Sequence, residues 1–327
     1  MKFRSKKLLV TGGAGFIGSN FISHLLENYD DLFIYNLDLL TYAANLNNTN
    51  NFNSNKRYKF IHGDICDEIL LDKIFKDYNI DGVINFAAES HVDNSINNPD
   101  IFIRTNIYGV HNLLKTSYLN WFEEPHNIKD DYKNARFHQI STDEVYGSID
   151  IGSFVETDKH NPNSPYSASK SSADMLVRSY NKTYGLNTTI TCSSNNYGFN
   201  QNGEKFIPLV INSLINNREI PVYGDGKNIR DWIFVHDNCL AIDKVFNKGL
   251  SGEVYNIGSN KEYSNLDVIN IISDILKIQP KIKFVKDRFG HDRRYSLCIK
   301  KIQNSLKWFN KSDFRKKLEI YINKDYE

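Results

Sequence analysis

The stretch Leu8-Leu9-Val10-Thr11-Gly12-Gly13-Ala14-Gly15-Phe16-Ile17-Gly18 decides the fold. A short apolar run ends in glycines, and apolar residues at helical spacing follow from Ile17 to Asn28. Glycines there meet three demands: a tight turn, close approach of backbone N–H groups to a pyrophosphate, and close packing of helix on strand. The N-terminus of the helix adds a dipole that favours an anion. On spacing alone, a glycine turn without a ligand fits as well. The bracketing strand and helix point to a dinucleotide site, and so does Asp38, which ends the next β-rich run. A carboxylate at that place accepts hydrogen bonds from both ribose hydroxyls and repels a 2′-phosphate, so NAD is expected rather than NADP. Asp38 as a plain loop acid stays open. Asp64, in Gly63-Asp64-Ile65, either approaches the adenine or forms a turn.

Outward from this stretch, short β-rich runs at Leu8–Thr11, Leu32–Leu37, Tyr58–Ile61, Gly82–Phe86, Phe137–Ser141 and Thr188–Cys192 alternate with helical spacing at Ile17–Asn28, Ile103–Tyr118 and Ala168–Tyr184. That alternation predicts an α/β fold, a doubly wound parallel sheet of the Rossmann type with helices on both faces. Asn45–Arg57 and Glu123–Asn134 are polar and read as surface loops or short irregular helices. After Asn196 the alternation breaks down. Phe206–Asn216 and Leu266–Leu276 look helical, and Tyr223-Gly224-Asp225-Gly226 looks like a turn. The expected division is an NAD-binding domain over 1–195, to which the chain returns at about 230–258, and a smaller mixed substrate-binding domain over 196–327. Ligands in such sheets lie beyond the carboxyl ends of the strands.

With 327 residues the chain exceeds what one core usually serves, in keeping with two parts. A net charge of +1, with no basic stretch interleaved with aromatics, argues against a nucleic-acid partner. Met1–Lys7 is basic, but only Leu8-Leu9-Val10 follows before the glycines, too little for an export signal. No apolar run is long enough to span a bilayer, so no membrane association and a cytoplasmic location are expected. Cys66, Cys192, Cys239 and Cys298 are scattered, with neither ligand spacing for a metal nor a disulfide framework.

The chemistry enters with Tyr166-Ser167-Ala168-Ser169-Lys170, which puts a phenol and an ammonium at i and i+4 on one helix face. A nearby lysine and a positively charged nicotinamide both favour phenolate, the base that oxidation of an alcohol needs. Ser141-Thr142, at the end of a preceding strand, supplies the hydroxyl that completes such a site. Asp143 and Glu144 follow directly. Elimination of water across a sugar C5–C6 bond needs one group to take the C5 proton and another to protonate the departing oxygen, and two acids in different environments divide that work. Solvated acids in a strand-end turn are the bland alternative.

Nine blocks in order carry a wider likeness: Thr11–Gly18, Leu40–Ala43, Ala87–Asp93, Ser141–Gly147, Ser164–Lys170, Ser194–Gly198, Glu204-Lys205, Ile229–Trp232 and Gly290–Tyr295. From about Lys7 to Trp308 the chain resembles the dTDP-glucose 4,6-dehydratases of the extended short-chain dehydrogenase/reductase family. The resemblance implies a nucleoside-diphosphate-glucose substrate and a tightly held NAD recycled in each turnover. It makes Tyr166, Thr142 and Lys170 the oxidation site, Glu144 the C5 base and Asp143 the C6 acid. It implies NAD contacts by Gly12, Gly15, Phe16, Ile17, Gly18, Asp38, Leu39, Thr41, Asp64, Ile65, Ala87, Ala88, Ser90, Thr105, Tyr166, Lys170 and Asn196. For the nucleotide sugar it implies Ser90, Thr142, Asn195, Glu204, Lys205, Tyr223, Arg230, Asn265, Asp287, Arg288, His291 and Tyr295. It also implies a homodimer built on Arg104–Tyr118 and Tyr166–Tyr184, a four-helix bundle with two helices from each subunit.

Several of these positions have plainer readings. Arg230 can clamp a diphosphate through two parallel hydrogen bonds or simply pair with Asp231. His291 can be a satisfied structural histidine, and Tyr223 a core aromatic. Asn94, Leu39 and Phe289 depart from the family pattern, where Arg, Lys and Pro are frequent, and Phe289 puts the base preference in doubt. UDP- and CDP-glucose 4,6-dehydratases need the same chemistry and remain alternatives. Nucleotide-sugar 4-epimerases typically lack the Asp-Glu pair, UDP-glucuronate decarboxylases usually show Ser-Glu there, and a regulatory NAD(P)-binding Rossmann protein would generally have lost the tyrosine or lysine.

Overall fold

A computed structural model describes residues 3–326, so Met1 and Lys2 of the basic start, and Glu327, lie outside the described residues. The chain opens with β1 (Lys7–Thr11), α1 (Phe16–Asn28), β2 (Phe33–Asp38), β3 (Tyr58–His62), α2 (Glu68–Tyr78) and β4 (Gly82–Asn85). Then come α3 (Val92–Asn97), α4 (Pro99–Phe102), a π-helical segment at Ile103–Gly109 and α5 (Val110–Trp121). A small hairpin of β5 (Phe122–Glu124) and β6 (Asn127–Ile128) leads to β7 (Arg136–Thr142), α6 (Pro165–Tyr184) and β8 (Thr188–Ser193). The last third holds β9 (Asn195–Tyr197), α7 (Phe206–Ile215), β10 (Glu219–Tyr223), β11 (Ile229–Phe234), α8 (Val235–Lys248) and β12 (Glu253–Ile257). It closes with β13 (Glu262–Ser264), α9 (Asn265–Leu276), β14 (Lys281–Val285), α10 (Lys300–Leu306) and α11 (Phe314–Asp325).

Seven strands form one parallel sheet in the order β12-β8-β7-β4-β1-β2-β3. Alternating side chains go to opposite faces, as the twofold period of a strand requires. Leu8 and Val10 join a core with Phe21, Leu25, Ile242 and Phe246, while Leu9 joins one with Ile74, Leu113, Phe137 and Val177. Both faces are therefore covered, as expected for a parallel sheet. Truncating a fully buried residue such as Leu8 would cost about 2–5 kcal/mol. A third core, with Ile207, Val210, Trp232, Ile269 and Leu318, lies beneath the smaller mixed region, where β13-β11-β9 and β10-β14 form separate sheets.

The chain leaves β1 for β2 and β3 on one side and returns to β4 on the other. A crevice therefore opens above β1 and β4, the switch point where such sheets hold ligands. Local signals fix the helix that faces it. α6 starts at Ser164, in a reciprocal capping box with Ser167 and with Pro165 in the first turn, and it ends at Gly185 with φ +77°.

One expectation needs correcting. Ile103–Tyr118 does not form a regular α-helix, because its first seven residues are π-helical. Two inward ties hold the wider turn: Gly109 packs against Ile65, where a Cβ would lie 2.5 Å from its methyl group, and buried Asn106 donates to Ser169 Oγ at 2.8 Å. The polar stretch Asn45–Arg57 contains a single 3₁₀ turn at Leu46–Thr49, and Glu123–Asn134 holds part of the small hairpin and another short turn.

Candidate active site

Above the carboxyl ends of the central strands lies one cleft. It is lined by Gly12, Gly15, Phe16, Ile17, Gly18, Asp38, Leu39, Thr41, Asp64, Ile65, Ala87, Ala88, Ser90, Thr105, Tyr166 and Lys170, together with Lys205. Asn196, the remaining residue expected to touch the cofactor, is not part of this lining. It sits in β9, where its Nδ2 donates to Ser194 O at 3.0 Å and its buried Oδ1 has no partner. The cleft also takes in Glu89 and Asn202, which the sequence did not single out. Glu89 lies inside the Ala87–Asp93 block, so its position was readable. Asn202 lies in none of the blocks.

The residues present fit a dinucleotide. Gly12 has φ +69°, and a Cβ there would lie 2.6 Å from the Ala87 nitrogen, so only glycine allows this approach. Gly18 packs just as closely on the Gly12 carbonyl. The helix α1 begins at Gly15 with no side-chain cap and no acid in its first turn, which leaves its N–H groups and positive dipole end for an anion. Asp38 is buried, and it accepts from Ala14 N at 2.9 Å and Leu40 N at 2.8 Å. Each carboxylate oxygen thus takes one backbone bond and keeps capacity for a ribose hydroxyl. Burial nevertheless pushes the Asp38 carboxyl above its ordinary range, against those bonds. Asp64 forms a turn, its Oδ1 accepting from Cys66 N at 2.8 Å, and it also lines the cleft, where Arg104 pairs with it at 2.9 Å.

Strand β7 and helix α6 meet at the cleft floor. Lys170 Nζ donates to Ile140 O at 2.6 Å, and the Tyr166 phenol lies near the Thr142 side chain, which works to lower its pKa. The expectation of an easily ionised phenol is not met by the protein's own groups. Burial first, and the Glu144 carboxylate second, push Tyr166 well above an ordinary phenol. Burial also pulls the Lys170 ammonium below the usual lysine range, opposed by the charge of Asp174.

After β7 the chain turns through a short 3₁₀ segment, Asp143–Tyr146, that starts with Thr142 Oγ1 accepting from Glu144 N at 3.3 Å. Asp143 is buried and Glu144 is half-buried, so neither is a solvated turn acid. Burial, then the neighbouring Glu144, lifts the Asp143 carboxyl to about 8, with Arg230 pulling the other way. Glu144 is raised by burial and held down by Arg288, Arg230 and Lys205. Both acids contribute to the rise of Tyr166, so they lie beside the phenol. The arrangement brings a phenol, a proton-bearing acid and a second carboxyl together at the end of β7; the cleft lining itself takes in Ser141, Tyr166 and Lys170 but not Thr142, Asp143 or Glu144.

The residues expected to hold the nucleotide sugar are more spread out. Asp287, Arg288 and His291 line a neighbouring hollow with Asn163 and Phe289. His291 Nδ1 bonds Asp287 Oδ1 at 2.6 Å, and its ring meets the edge of Tyr223, which is partly exposed and not core. Arg230 does not pair with Asp231. Its terminal nitrogens donate to the carbonyls of Ile229 and Asp292 at 2.8 and 2.9 Å, and its guanidinium lies 4.2 Å from the Tyr295 ring centre. Asp231 is turned the other way, accepting from Ser259 N and Asn260 N. Tyr295 donates to Asp292 at 2.6 Å. Glu204 is exposed beside Lys205, whose Nζ donates to Ser90 O at 3.4 Å. Asn195 pairs in register with Trp232, and Asn265 opens α9; neither belongs to the lining of the cleft or the hollow. The sequence did not single out Asp292, which accepts from Asn163 as well as from Tyr295. Its place inside the Gly290–Tyr295 block was the available signal.

A family model described as GDP-mannose 4,6 dehydratase matches residues 9–320. The dTDP-glucose 4,6-dehydratase of Salmonella typhimurium is 45% identical over 339 residues, covering 97% of this chain and 92% of that protein. The crystal structure of a dTDP-glucose 4,6-dehydratase from Streptomyces venezuelae with NAD and TYD bound is 40% identical. It superposes with a TM-score of 0.90 over 97% of this chain and 96% of that one. A UDP-glucose 4-epimerase from Thermotoga maritima, solved with UDP-glucose, is 27% identical with a TM-score of 0.86, each chain covered to 97%. Dehydratases and epimerases share this architecture, so the side chains of the cleft must separate them.

Proposed function

Because the chain belongs to the dTDP-glucose 4,6-dehydratase family of extended short-chain dehydrogenases/reductases, we propose that it is an NAD-dependent lyase converting dTDP-glucose to the 4-keto-6-deoxy derivative. The observation that carries this reading is the turn Thr142-Asp143-Glu144 beside Tyr166: two carboxyl groups in unlike surroundings next to a half-buried phenol that lines the cleft. A 4-epimerase has no use for that pair, because turning a 4-keto sugar over requires neither a C5 base nor a C6 acid.

Gly12, Gly15, Gly18 and Asp38 would hold the dinucleotide, with Tyr166 and Lys170 at its nicotinamide end. Bound there, NAD supplies the acceptor and later the donor of a hydride, and in its oxidised form a positive charge that favours the phenolate. Tyr166 takes the proton of the sugar 4-hydroxyl while Thr142 orients the phenol. The ketone at C4 acidifies the C5 proton, which Glu144 removes as Asp143 protonates the departing C6 oxygen. A proton goes back to C5 and the reducing equivalent to C6, so water is the only net loss. Arg230, Arg288, His291 and Tyr295 would receive the nucleotide diphosphate side. We assign the first part of the chain, through residue 195 and again at about 230–258, to the cofactor and the remainder to the sugar nucleotide.

A homodimer through α5 and α6 is part of the same reading. Exposed Tyr108, Leu119 and Met175 on these helices and the turn before them support it. Light scattering at micromolar concentration should give twice the chain mass. Among the described residues no helix is long and apolar enough to cross a membrane, and a cytoplasmic location is proposed on the function alone.

The test is a panel of dTDP-, UDP- and CDP-glucose compared by kcat/KM, with formation of a 4-keto product absorbing in alkali and no consumption of added NAD. dTDP-glucose should be preferred. UDP- or CDP-glucose as the better substrate is the second reading, favoured by Phe289, which projects 77% exposed at the rim of the hollow where the family has proline. No turnover of any glucose nucleotide would sink both.

A further inference from the structure

Tyr166, Lys170 and Asp174 stand at i, i+4 and i+8 on one face of α6. They meet three successive residues at the end of β7. Tyr166 lies near Thr142, Lys170 donates to Ile140 O, and Ser141 Oγ donates to Asp174 Oδ2 at 2.5 Å. Asp174 is 1% exposed, and its other oxygen, also buried, has no hydrogen-bond partner. An ionised carboxylate in that position is costly unless cations face it. The groups facing it are Lys170 and Arg178 on its own helix, Ser141 on β7, Tyr146 on the turn after β7, and Cys192 on β8. Of the two cations, Arg178 is at the surface and Lys170 is buried.

We propose that Asp174 is a positioning residue of the oxidation site: it anchors the end of β7 through Ser141, and it is the buried counter-charge of the Lys170 ammonium. This rests on the dehydratase reading. Lys170 works on the phenol only while it carries its charge, and burial alone favours losing it. Asp174 opposes that loss without occupying the ammonium's hydrogen bonds, because Lys170 points to Ile140 O and the Asp174 carboxylate points to Ser141. The strand anchor and the charge therefore act on one machine, the segment from which Thr142, Asp143 and Glu144 project. Nothing in this scheme requires Asp174 to touch the sugar or the dinucleotide.

Two substitutions separate the charge from the anchor. Asp174→Asn keeps an acceptor for Ser141 and removes the charge. Its kcat should fall about tenfold with KM little changed, and in a Glu144→Gln background, where only oxidation at C4 is followed as bound NADH, the alkaline limb of that step should move down by about one pH unit, because Lys170 loses its proton sooner. Ser141→Ala keeps the charge and removes the anchor, so kcat should fall about fivefold while that limb stays in place. In a Lys170→Met background, Asp174→Asn should add less than about a twofold further loss. Wild-type enzyme active on dTDP-glucose, with Asp174→Asn within about twofold of it and an unmoved limb, would overturn the proposal and leave the dehydratase reading standing. Inactive wild type would sink the dehydratase reading itself. Should Asp174→Asn not fold, Ser141→Ala decides: kcat within about twofold of wild type overturns the anchor.

Discussion

Thr142 donates its hydroxyl to Asp143 Oδ1 at 3.1 Å, and the other Asp143 oxygen is buried without a partner. Such a carboxyl holds its proton far above the ordinary range, here to about 8, from burial and the neighbouring Glu144 charge. It is a donor at neutral pH. As the C6 acid it must be protonated, so the elimination rate should fall as pH rises through about 8. Asp143→Asn should lack this limb and lose about 10²–10³-fold in kcat. A profile flat through that region in the wild type would remove Asp143 from the acid role.

The same shift is a statement about stability. A carboxyl whose folded pKa is raised binds its proton more tightly in the folded chain. Its contribution is fully present below the ordinary carboxylate range and is lost as pH rises through about 8. Asp143→Asn cannot ionise, so its melting temperature should gain on the wild type as pH rises across that window, by roughly 1–4 °C. Thermal scans at several pH values read this directly, and a constant difference would count against the shift.

Burial raises the Glu144 carboxyl while the charges of Arg288, Arg230 and Lys205 hold it down, and the phenol of Tyr166 is close enough to feel its charge. Glu144→Gln should leave oxidation at C4 possible and block removal of the C5 proton. Turnover should drop by about 10²–10⁴-fold while enzyme-bound NADH builds up in the optical spectrum. Normal dehydration by this variant would show that another group takes the proton.

Asp38 accepts two backbone N–H bonds, one of them from Leu40, a non-glycine residue held at φ +57°. Asp38→Ser should weaken NAD binding about 10–100-fold and narrow the preference over NADP, because both the ribose acceptor and the charge that repels a 2′-phosphate are gone. Calorimetry with both dinucleotides checks it. Tighter binding of NADP than NAD by the wild-type chain would refute the assignment of Asp38.

Gly12 tests the phosphate cradle. Gly12→Ala would drive a methyl group to 2.6 Å from the Ala87 nitrogen at a φ of +69°, so β1 and β4 would have to move apart at the switch point. A loss of about 2–4 kcal/mol in stability, with NAD binding abolished, is expected from denaturant titration and calorimetry.

Much of this molecule was legible in the sequence where local chemistry repeats. The glycine turn, the alternation of β-rich runs and helical spacing, and the Tyr166–Lys170 pair each depend on near neighbours, and the strands lie within a residue or two of the expected runs. Three things were not legible, each for a physical reason. The π-helical turn at Ile103–Gly109 depends on Gly109 meeting Ile65 and on Asn106 reaching α6, contacts between segments far apart in sequence. The phenol of Tyr166 rises where a fall was expected, because desolvation, and then the Glu144 carboxylate, outweigh a lysine whose ammonium is directed at Ile140. The sequence left open whether Arg230 pairs with Asp231; alternation along β11 sends the two side chains to opposite faces, so that plainer reading fails.

The outermost strand on one side of the seven-stranded sheet, β12, comes from residues 253–257, after the chain has already built much of the smaller region, and it lies in register beside β8. A truncated chain ending near residue 195 would expose the full edge of β8 and remove Val254 and Leu297 from the core that holds Ile190 and Cys192. Such a fragment should stick to its own copies rather than stand as a separable cassette. The part of the chain we assign to the cofactor is completed by a strand that follows much of the remainder, so the two proposed parts would not be borrowed or swapped separately.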